Sequence, residues 1–395
     1  MNIDLPGYVK QVMNQLISSG YEAYLVGGAI RNHLMEYPIK DFDLTTNATP
    51  EQMTFVFKGY PIIPTGIQHG TLTVLSQGHP IEITTYRVDG EYKDHRHPQK
   101  VSFSTSLQED CARRDFTINA LCFNEEEGII DFFQGKEDLK EKRIRCIGDP
   151  NQRFQEDALR ILRALRFAAR LDFSIEEKTA QAMRDQKSLL KYISKERIHS
   201  EITQLFSYPK SGGFLEEYFK IFEVAIPQLS SLNKELIFPA IQKEGLTQIA
   251  RLSLLFSSLE QPLKVLKELT FSNQEIHQII SIIEHQDLAM VSDYDGYRIL
   301  SIFGNIQDYL SYRVSLDSSL NYSELSTWLL HLSKQPIPLS LSELQFNGKD
   351  ALELGYQGIE IKQLLESLLD LCMKEELVNL HSVLKEYAKK KRDSL

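Results

Sequence analysis

VGGAIRNHLMEYPIKDFDLTT, residues 26–46, is the stretch that decides how this chain is read. Tyr21 to Val26 reads as a strand, and Gly27-Gly28 ends it and opens a helical segment. Backbone without side chains lets a polyphosphate approach amide N–H groups at a helix start, and Arg31, one turn on, reaches a phosphate oxygen. Asp41 to Thr45 reads as a second strand. Side chains alternate along a strand, so Asp41 and Asp43 leave one face while Phe42 and Leu44 are buried beside them. Two carboxylates so placed offer the hard oxygen donors that Mg²⁺ requires. Held there, two Mg²⁺ ions activate an attacking hydroxyl and neutralise leaving phosphates. D-x-D alone is a common turn or solvated edge, and a glycine pair alone is a tight turn with Arg31 in a surface ion pair. Glycines, arginine and acid pair within so short a span point to a nucleoside triphosphate and a metal.

Outward from that stretch, residues 1–148 alternate short β-rich runs with short helical ones. Gly70 to Leu75 and Pro80 to Tyr86 predict a hairpin around Gln77-Gly78, and a small mixed sheet with helices packed on it follows. Beyond Gly148-Asp149-Pro150 almost everything reads as helix. Apolar residues recur at spacings of three and four, as in Leu159, Leu162, Leu165 and Ala169. The expected class is therefore α+β, a mixed N-terminal domain followed by all-α domains.

A chain of 395 residues, 42% hydrophobic and 25% charged, is long enough for several domains. Its formal net charge of −10 excludes a uniformly positive coat for nucleic acid or membrane but leaves room for a local basic groove. No run of about 18 apolar residues occurs, and MNIDLPGYVK lacks a basic segment followed by an apolar one, so neither a membrane partner nor secretion is expected. Cys111, Cys122, Cys146 and Cys372 are spaced for neither a zinc knuckle nor a disulfide framework, which makes a reducing cytoplasm the expected setting.

Four segments carry a resemblance. Val26 to Thr46, PTGIQHGT from Pro64, RRDFTINA from Arg113 and EDALR from Glu156 occur in the order seen in class II tRNA nucleotidyltransferases, the CCA-adding enzymes. That family also holds bacterial poly(A) polymerases and separate CC-adding and A-adding enzymes. A weaker echo, GKDALELGYQGIEIKQLLESLL from Gly348, resembles the C-terminal segment of shorter bacterial members. The resemblance implies a nucleotidyltransferase palm as head (1–148), a helical nucleotide-recognition neck (149–200), a helical body (201–275) and a helical tail that binds tRNA (276–395). It implies stepwise addition of C, C and A to tRNA from CTP and ATP, with release of pyrophosphate. The alternatives are a poly(A) polymerase, a partial CC- or A-adding enzyme, or a non-catalytic RNA-binding protein of the same fold. Oligomeric state, a homodimer included, is left open.

Arg153 to Arg170 reads as one helix with Arg160, Arg163 and Arg166 at intervals of three, each step falling about 60° short of a turn, so that the cations fan across a face. Residues 151–200 hold eleven Lys and Arg against seven Asp and Glu, a basic patch in an acidic chain. Asp157 and Arg160 offer a nucleobase reader. A carboxylate accepts from an exocyclic amine and a guanidinium donates to an unprotonated ring nitrogen, a pattern that C and A share and that U and G lack. The same spacing suits an i, i+3 salt bridge. By resemblance the nucleotide site comprises Gly28, Arg31, Arg114, Asp157, Arg160, Arg163 and Arg166, with Asp41 and Asp43 as catalytic metal ligands. Asp115 and Asn119 are expected to support Arg114. Glu82 is either a third carboxylate beside the metals or a cross-strand partner for an arginine. Asn32 stands where the family usually has Asp, which puts local support of the helix start in doubt rather than catalysis. No histidine, His69, His95 and His97 included, is assigned to metal. Asp89 to Ser106, DGEYKDHRHPQKVSFSTS, is too charged for core and reads as a mobile loop. It resembles the flexible loop of full CCA-adding enzymes.

Overall fold

A computed structural model describes residues 3–64, 66–67, 70–89 and 101–394. The chain divides into two compact units, residues 1–230 and 231–395. The change from mixed to helical structure near Gly148 falls inside the first.

That first unit begins with α1 (Gly7–Ser18), β1 (Tyr24–Val26), α2 (Gly28–Leu34), β2 (Asp43–Thr46), α3 (Pro50–Val56) and β3 (Ile62–Ile63). Next come β4 (Thr71–Ser76), β5 (His79–Thr85), β6 (Arg87–Asp89), β7 (Val101–Phe103), α4 (Leu107–Ala112), β8 (Cys122–Asn124) and β9 (Gly128–Ile130). Seven strands form a mixed sheet in the order β3-β4-β5-β2-β1-β8-β9, in which only β2 and β5 run parallel. The β4–β5 hairpin forms as the sequence predicts. Ser76 pairs with His79 across a two-residue turn in which Gln77 and Gly78 both take positive φ, the twist that tight hairpins need.

Strand β1 is buried at all three positions because both faces of the sheet are covered. Leu25 packs with Val9, Val12, Leu16, Ile30 and Leu44 on one side. Tyr24 and Val26 pack with Tyr86, Leu107, Cys111 and Cys122 on the other. The strand also starts later than the sequence suggests, at Tyr24, and β2 starts at Asp43 rather than Asp41. Val26 opposite Asp43 is the last pair, because Gly27 turns the chain away at φ 70°, ψ −125° and leaves Asp41 without a strand to pair with. Alternation nonetheless persists, with Asp41 and Asp43 exposed and Leu44 buried.

The remainder of the unit comprises α5 (Gly135–Lys140), β10 (Arg143–Ile144), α6 (Pro150–Glu156), α7 (Leu159–Leu171), β11 (Ser174–Ile175), α8 (Glu177–Gln186), α9 (Lys195–Leu205), α10 (Ser211–Glu217) and α11 (Phe219–Ala225). Here the expectation of a single helix from Arg153 to Arg170 is corrected. Asp157 is extended, at φ −145° and ψ 101°, and its carboxylate accepts from Leu159 N–H at 3.1 Å, so it separates α6 from α7. An Asp side chain competing for backbone N–H groups favours such a break. The second unit is helical, with ten α-helices among the described residues, from Lys234–Ile241 to His381–Asp393. The segment from Gly348 forms helices Gly348–Glu353 and Ile359–Met373, which pack Ala351, Leu364 and Leu368 against Leu384 and Ala388. Among the described residues no helix is long and apolar enough to cross a membrane.

Candidate active site

Between the glycine turn and the N-terminal half of α7 lies a cleft of about 380 Å³. Gly27, Gly28, Arg31, Asp43, Arg114, Asp157, Arg160 and Arg163 all line it, joined by Arg113, Asp115, Asn119, Phe167 and Arg170. A second cavity, of about 340 Å³, shares Gly28, Arg31, Asp43 and Arg170 with the first and adds Asp41, Lys40, Tyr37 and Asn32. The acid pair, glycine pair and arginines recognised in sequence thus face two adjoining cavities. Arg166 does not line either. It bonds Glu201 Oε2 at 2.5 Å and Gln204 Oε1 at 3.1 Å on α9, because two steps of three residues carry it about a third of a turn away from Arg160.

Around the glycines the contacts are close. A Cβ on Gly27 would stand 3.5 Å from Arg114 Nη1, and one on Gly28 would stand 3.3 Å from Arg31 Nη2, so side chains here would fill the space the backbone leaves. Arg31 is 3% exposed. Its Nη1 donates to Asn119 Oδ1 at 2.5 Å, and Nε and Nη2 donate to Asn32 Oδ1 at 3.3 and 3.1 Å. Asn32 in turn donates to Pro38 O at 3.3 Å, so it ties the last turn of α2 to the segment leading into the acid pair. Burial, with Arg170 and Arg166 nearby, lowers the Arg31 guanidinium to about 10, which leaves it charged at neutral pH.

The arginines before the 117–119 turn have an anchor that the sequence did not signal. Asp110 is fully buried on α4 and accepts from Arg113 at 2.7 and 2.9 Å and from Arg114 at 3.2 Å. Burial alone would raise its carboxyl, and the two guanidinia outweigh that and hold it low. Arg114 Nε is buried without a hydrogen-bond partner, while its Nη1 lies beside Gly27 on the cleft wall. Asp115 accepts from Arg163 Nε and Nη2 at 2.9 and 2.7 Å and from Asn119 at 2.9 Å. Burial pushes its carboxyl up, but Arg163, Asn119 and the Phe116 N–H overcome this and hold it at about 2.

The Asp157 carboxylate takes both Arg197 Nη groups, at 3.1 and 2.7 Å, across from α9, while its backbone carbonyl accepts from Arg160 N–H at 3.1 Å. Arg160 donates to Glu156 Oε2 at 2.8 Å, Arg153 O at 3.1 Å and Arg113 O at 2.9 Å. Each is therefore oriented separately, and both line the cleft.

At the acid end, Glu82 pairs across the hairpin with Thr73 rather than an arginine. The parallel register that sets Leu44 beside Ile83 carries Asp43 toward Glu82. Partial enclosure, then Glu82 and Asp41, raise the Asp43 carboxyl, against Arg114. Acids crowded in this way are a fitting donor set for a divalent cation. Among the described residues no three His, Cys, Asp or Glu side chains enclose a metal position. His69, His95, His97 and loop residues 90–100 lie outside the described residues; the described base of that loop is the antiparallel β6–β7 pair.

Residues 23–145 match the family described as the Poly A polymerase head domain, and residues 172–232 match the probable RNA- and SrmB-binding site of polymerase A. A CCA-adding enzyme of Staphylococcus saprophyticus is 32% identical over 96% of this chain and 97% of its own length. The chain belongs to the CCA-adding enzymes. Among solved structures, the Bacillus stearothermophilus CCA-adding enzyme in complex with CTP matches with a TM-score of 0.79 at 26% identity, covering 99% of both chains. A tRNA nucleotidyltransferase complexed with a primer tRNA and an incoming ATP analog matches with a TM-score of 0.63 at 25% identity, over 83% of this chain and all of that one. A CCA-adding enzyme needs a polyphosphate grip, a metal-binding acid pair and a base reader within reach of one another, and the two adjoining cavities of this chain hold candidates for all three.

Proposed function

We propose that this chain adds C, C and A to the 3′ end of tRNA from CTP and ATP, releasing pyrophosphate, without a nucleic-acid template. The observation that carries this reading is that Asp43 and the Asp157 and Arg160 pair open on one cleft. Asp41 and Asp43 would hold Mg²⁺, which neutralises phosphate charge and activates the 3′ hydroxyl of the tRNA. The Gly27-Gly28 backbone leaves room for the phosphates, and Arg31 and the Arg114 guanidinium beside Gly27 donate to them. Arg163, bonded to Asp115, gives that wall of the cleft its charge and shape, and Arg166 fixes α7 to α9. Asp157 accepts the exocyclic amine of C or A, and Arg160 donates to the ring nitrogen. The base is thereby chosen by protein groups. Residues 1–148, 149–200, 201–275 and 276–395 would serve as palm, neck, body and a tRNA-binding tail, in a cytoplasmic enzyme.

The deciding assay supplies tRNA ending before CCA, after C and after CC, each with single nucleotides, and resolves products to one nucleotide. C addition to the first two substrates and A addition to the third is the expected result. Runs of A on every substrate would make the chain a poly(A) polymerase, and a stop at CC would make it a partial enzyme. Glu82 is proposed as a third carboxylate beside the metals. Glu82→Gln is expected to slow both additions by about 10- to 100-fold, the usual effect of losing a group that supports a metal site, and to raise the Mg²⁺ concentration for half-maximal rate. An unchanged Mg²⁺ dependence would leave Glu82 as a residue of the sheet alone.

A further inference from the structure

Phe167 lines the nucleotide cleft yet is only 6% exposed, with its ring edge-to-face against Phe116 at 5.9 Å and 76°. Three guanidinium carbons surround it: Arg166 at 4.5 Å from the ring centroid, Arg31 at 5.2 Å and Arg163 at 5.4 Å. Two of these are tied down independently, Arg166 by Glu201 and Arg163 by Asp115. Arg31 differs. It comes from α2 rather than α7, and its hydrogen bonds go to the neutral amide oxygens of Asn32 and Asn119.

We infer that Phe167 is a positioning residue for Arg31, presenting an aromatic face that orients this guanidinium toward the nucleotide phosphates without neutralising it. A carboxylate partner would orient Arg31 equally well but would cancel the charge that a polyphosphate needs. An aromatic ring attracts a cation through its quadrupole and carries no net charge. The two amide oxygens act in the same sense. The neighbouring Arg170 and Arg166 crowd Arg31 with like charge, which Asp115 offsets only in part without bonding it, so the ring is an orienting surface that keeps the guanidinium in place until an anion arrives. Phe167 itself is held by Phe116 and by the helix that carries Arg163 and Arg166. Its ring therefore transmits the position of α7 to a residue at the glycine turn.

This inference rests on the reading of the cleft as a nucleotide site, and the test separates the two. The intact protein is titrated by calorimetry, without tRNA, with CTP, ATP and inorganic tripolyphosphate, for the parent, Phe167→Leu and Phe167→Tyr, with thermal melting in parallel. Phe167→Leu keeps an apolar side chain and removes the π face, and it is expected to weaken CTP, ATP and tripolyphosphate alike by roughly tenfold, while Phe167→Tyr stays close to the parent. A parent that binds neither CTP nor tripolyphosphate overturns the reading of the cleft and this inference with it. A parent that binds, with Phe167→Leu binding as tightly, overturns this inference alone. So does a loss confined to CTP and ATP, which would place the ring at the base, or an equal loss in both variants together with lowered melting, which would make the ring ordinary packing.

Discussion

Asp43→Asn should reduce addition of both C and A on the order of a thousandfold, with Asp41→Asn close behind, while tRNA binding stays near that of the parent. The size of the effect follows from what an acid pair does in phosphoryl transfer, where the charge that develops on attacking and leaving oxygens is met almost entirely by fixed groups and metal. The retained binding is expected because tRNA binding is proposed to rest on the helical segments rather than on the acid pair. Folding gives a further check. The Asp43 carboxyl is raised by partial enclosure and by Glu82 and Asp41. A carboxyl whose folded pKa lies above its unfolded value costs stability once pH exceeds the unfolded value, so at neutral pH removing its charge removes that cost. The metal-free Asp43→Asn protein is therefore expected to melt no lower than the parent and somewhat higher. Turnover retained in both variants, read by primer extension at one-nucleotide resolution, would remove the metal assignment. A clear loss of melting temperature in Asp43→Asn would contradict the crowding of acids.

What could be read from the sequence was local in the chain. Gly27-Gly28, Arg31 and the Asp41 and Asp43 pair lie within one turn of strand, helix and strand, so their spacing alone put them on neighbouring cavity walls. The Gln77-Gly78 hairpin was legible for the same reason: two residues that accept positive φ, flanked by β-rich runs. The partners that fix each site residue lie far off in sequence. Arg197 sits 40 residues from Asp157, and Glu201 sits 35 from Arg166, and a helix spacing carries no sign of either. The break at Asp157 was missed because the apolar periodicity of Leu159, Leu162 and Leu165 runs up to it unchanged; only the capping chemistry of Asp marks it. That break has a consequence for the site. It gives Asp157 an extended backbone while its carbonyl still accepts from Arg160 N–H, and its carboxylate is oriented by Arg197 rather than by the helix.

Base choice is where that arrangement is most exposed to test. Asp157→Ala or Arg160→Ala should admit UTP or GTP relative to CTP and ATP as well as slowing the reaction, because each removes one half of a donor and acceptor pattern that only C and A complement. A good bidentate pair discriminates by about 1–3 kcal/mol, or roughly 5- to 150-fold in the ratio of rates. Arg197→Ala tests the same idea from one step away. It leaves both reading groups in place but frees the Asp157 carboxylate from its 2.7 Å contact with α9. Selectivity should then fall by a smaller factor than in Asp157→Ala, and the double variant should be no less selective than Asp157→Ala alone, since Arg197 has nothing left to hold. The measurement is kcat/KM for each of the four triphosphates on tRNA ending before CCA. Variants uniformly slowed, with the ratios among C, A, U and G unchanged, would mean that Asp157 and Arg197 form a structural ion pair between α6 and α9 and that the base is chosen elsewhere in the cleft.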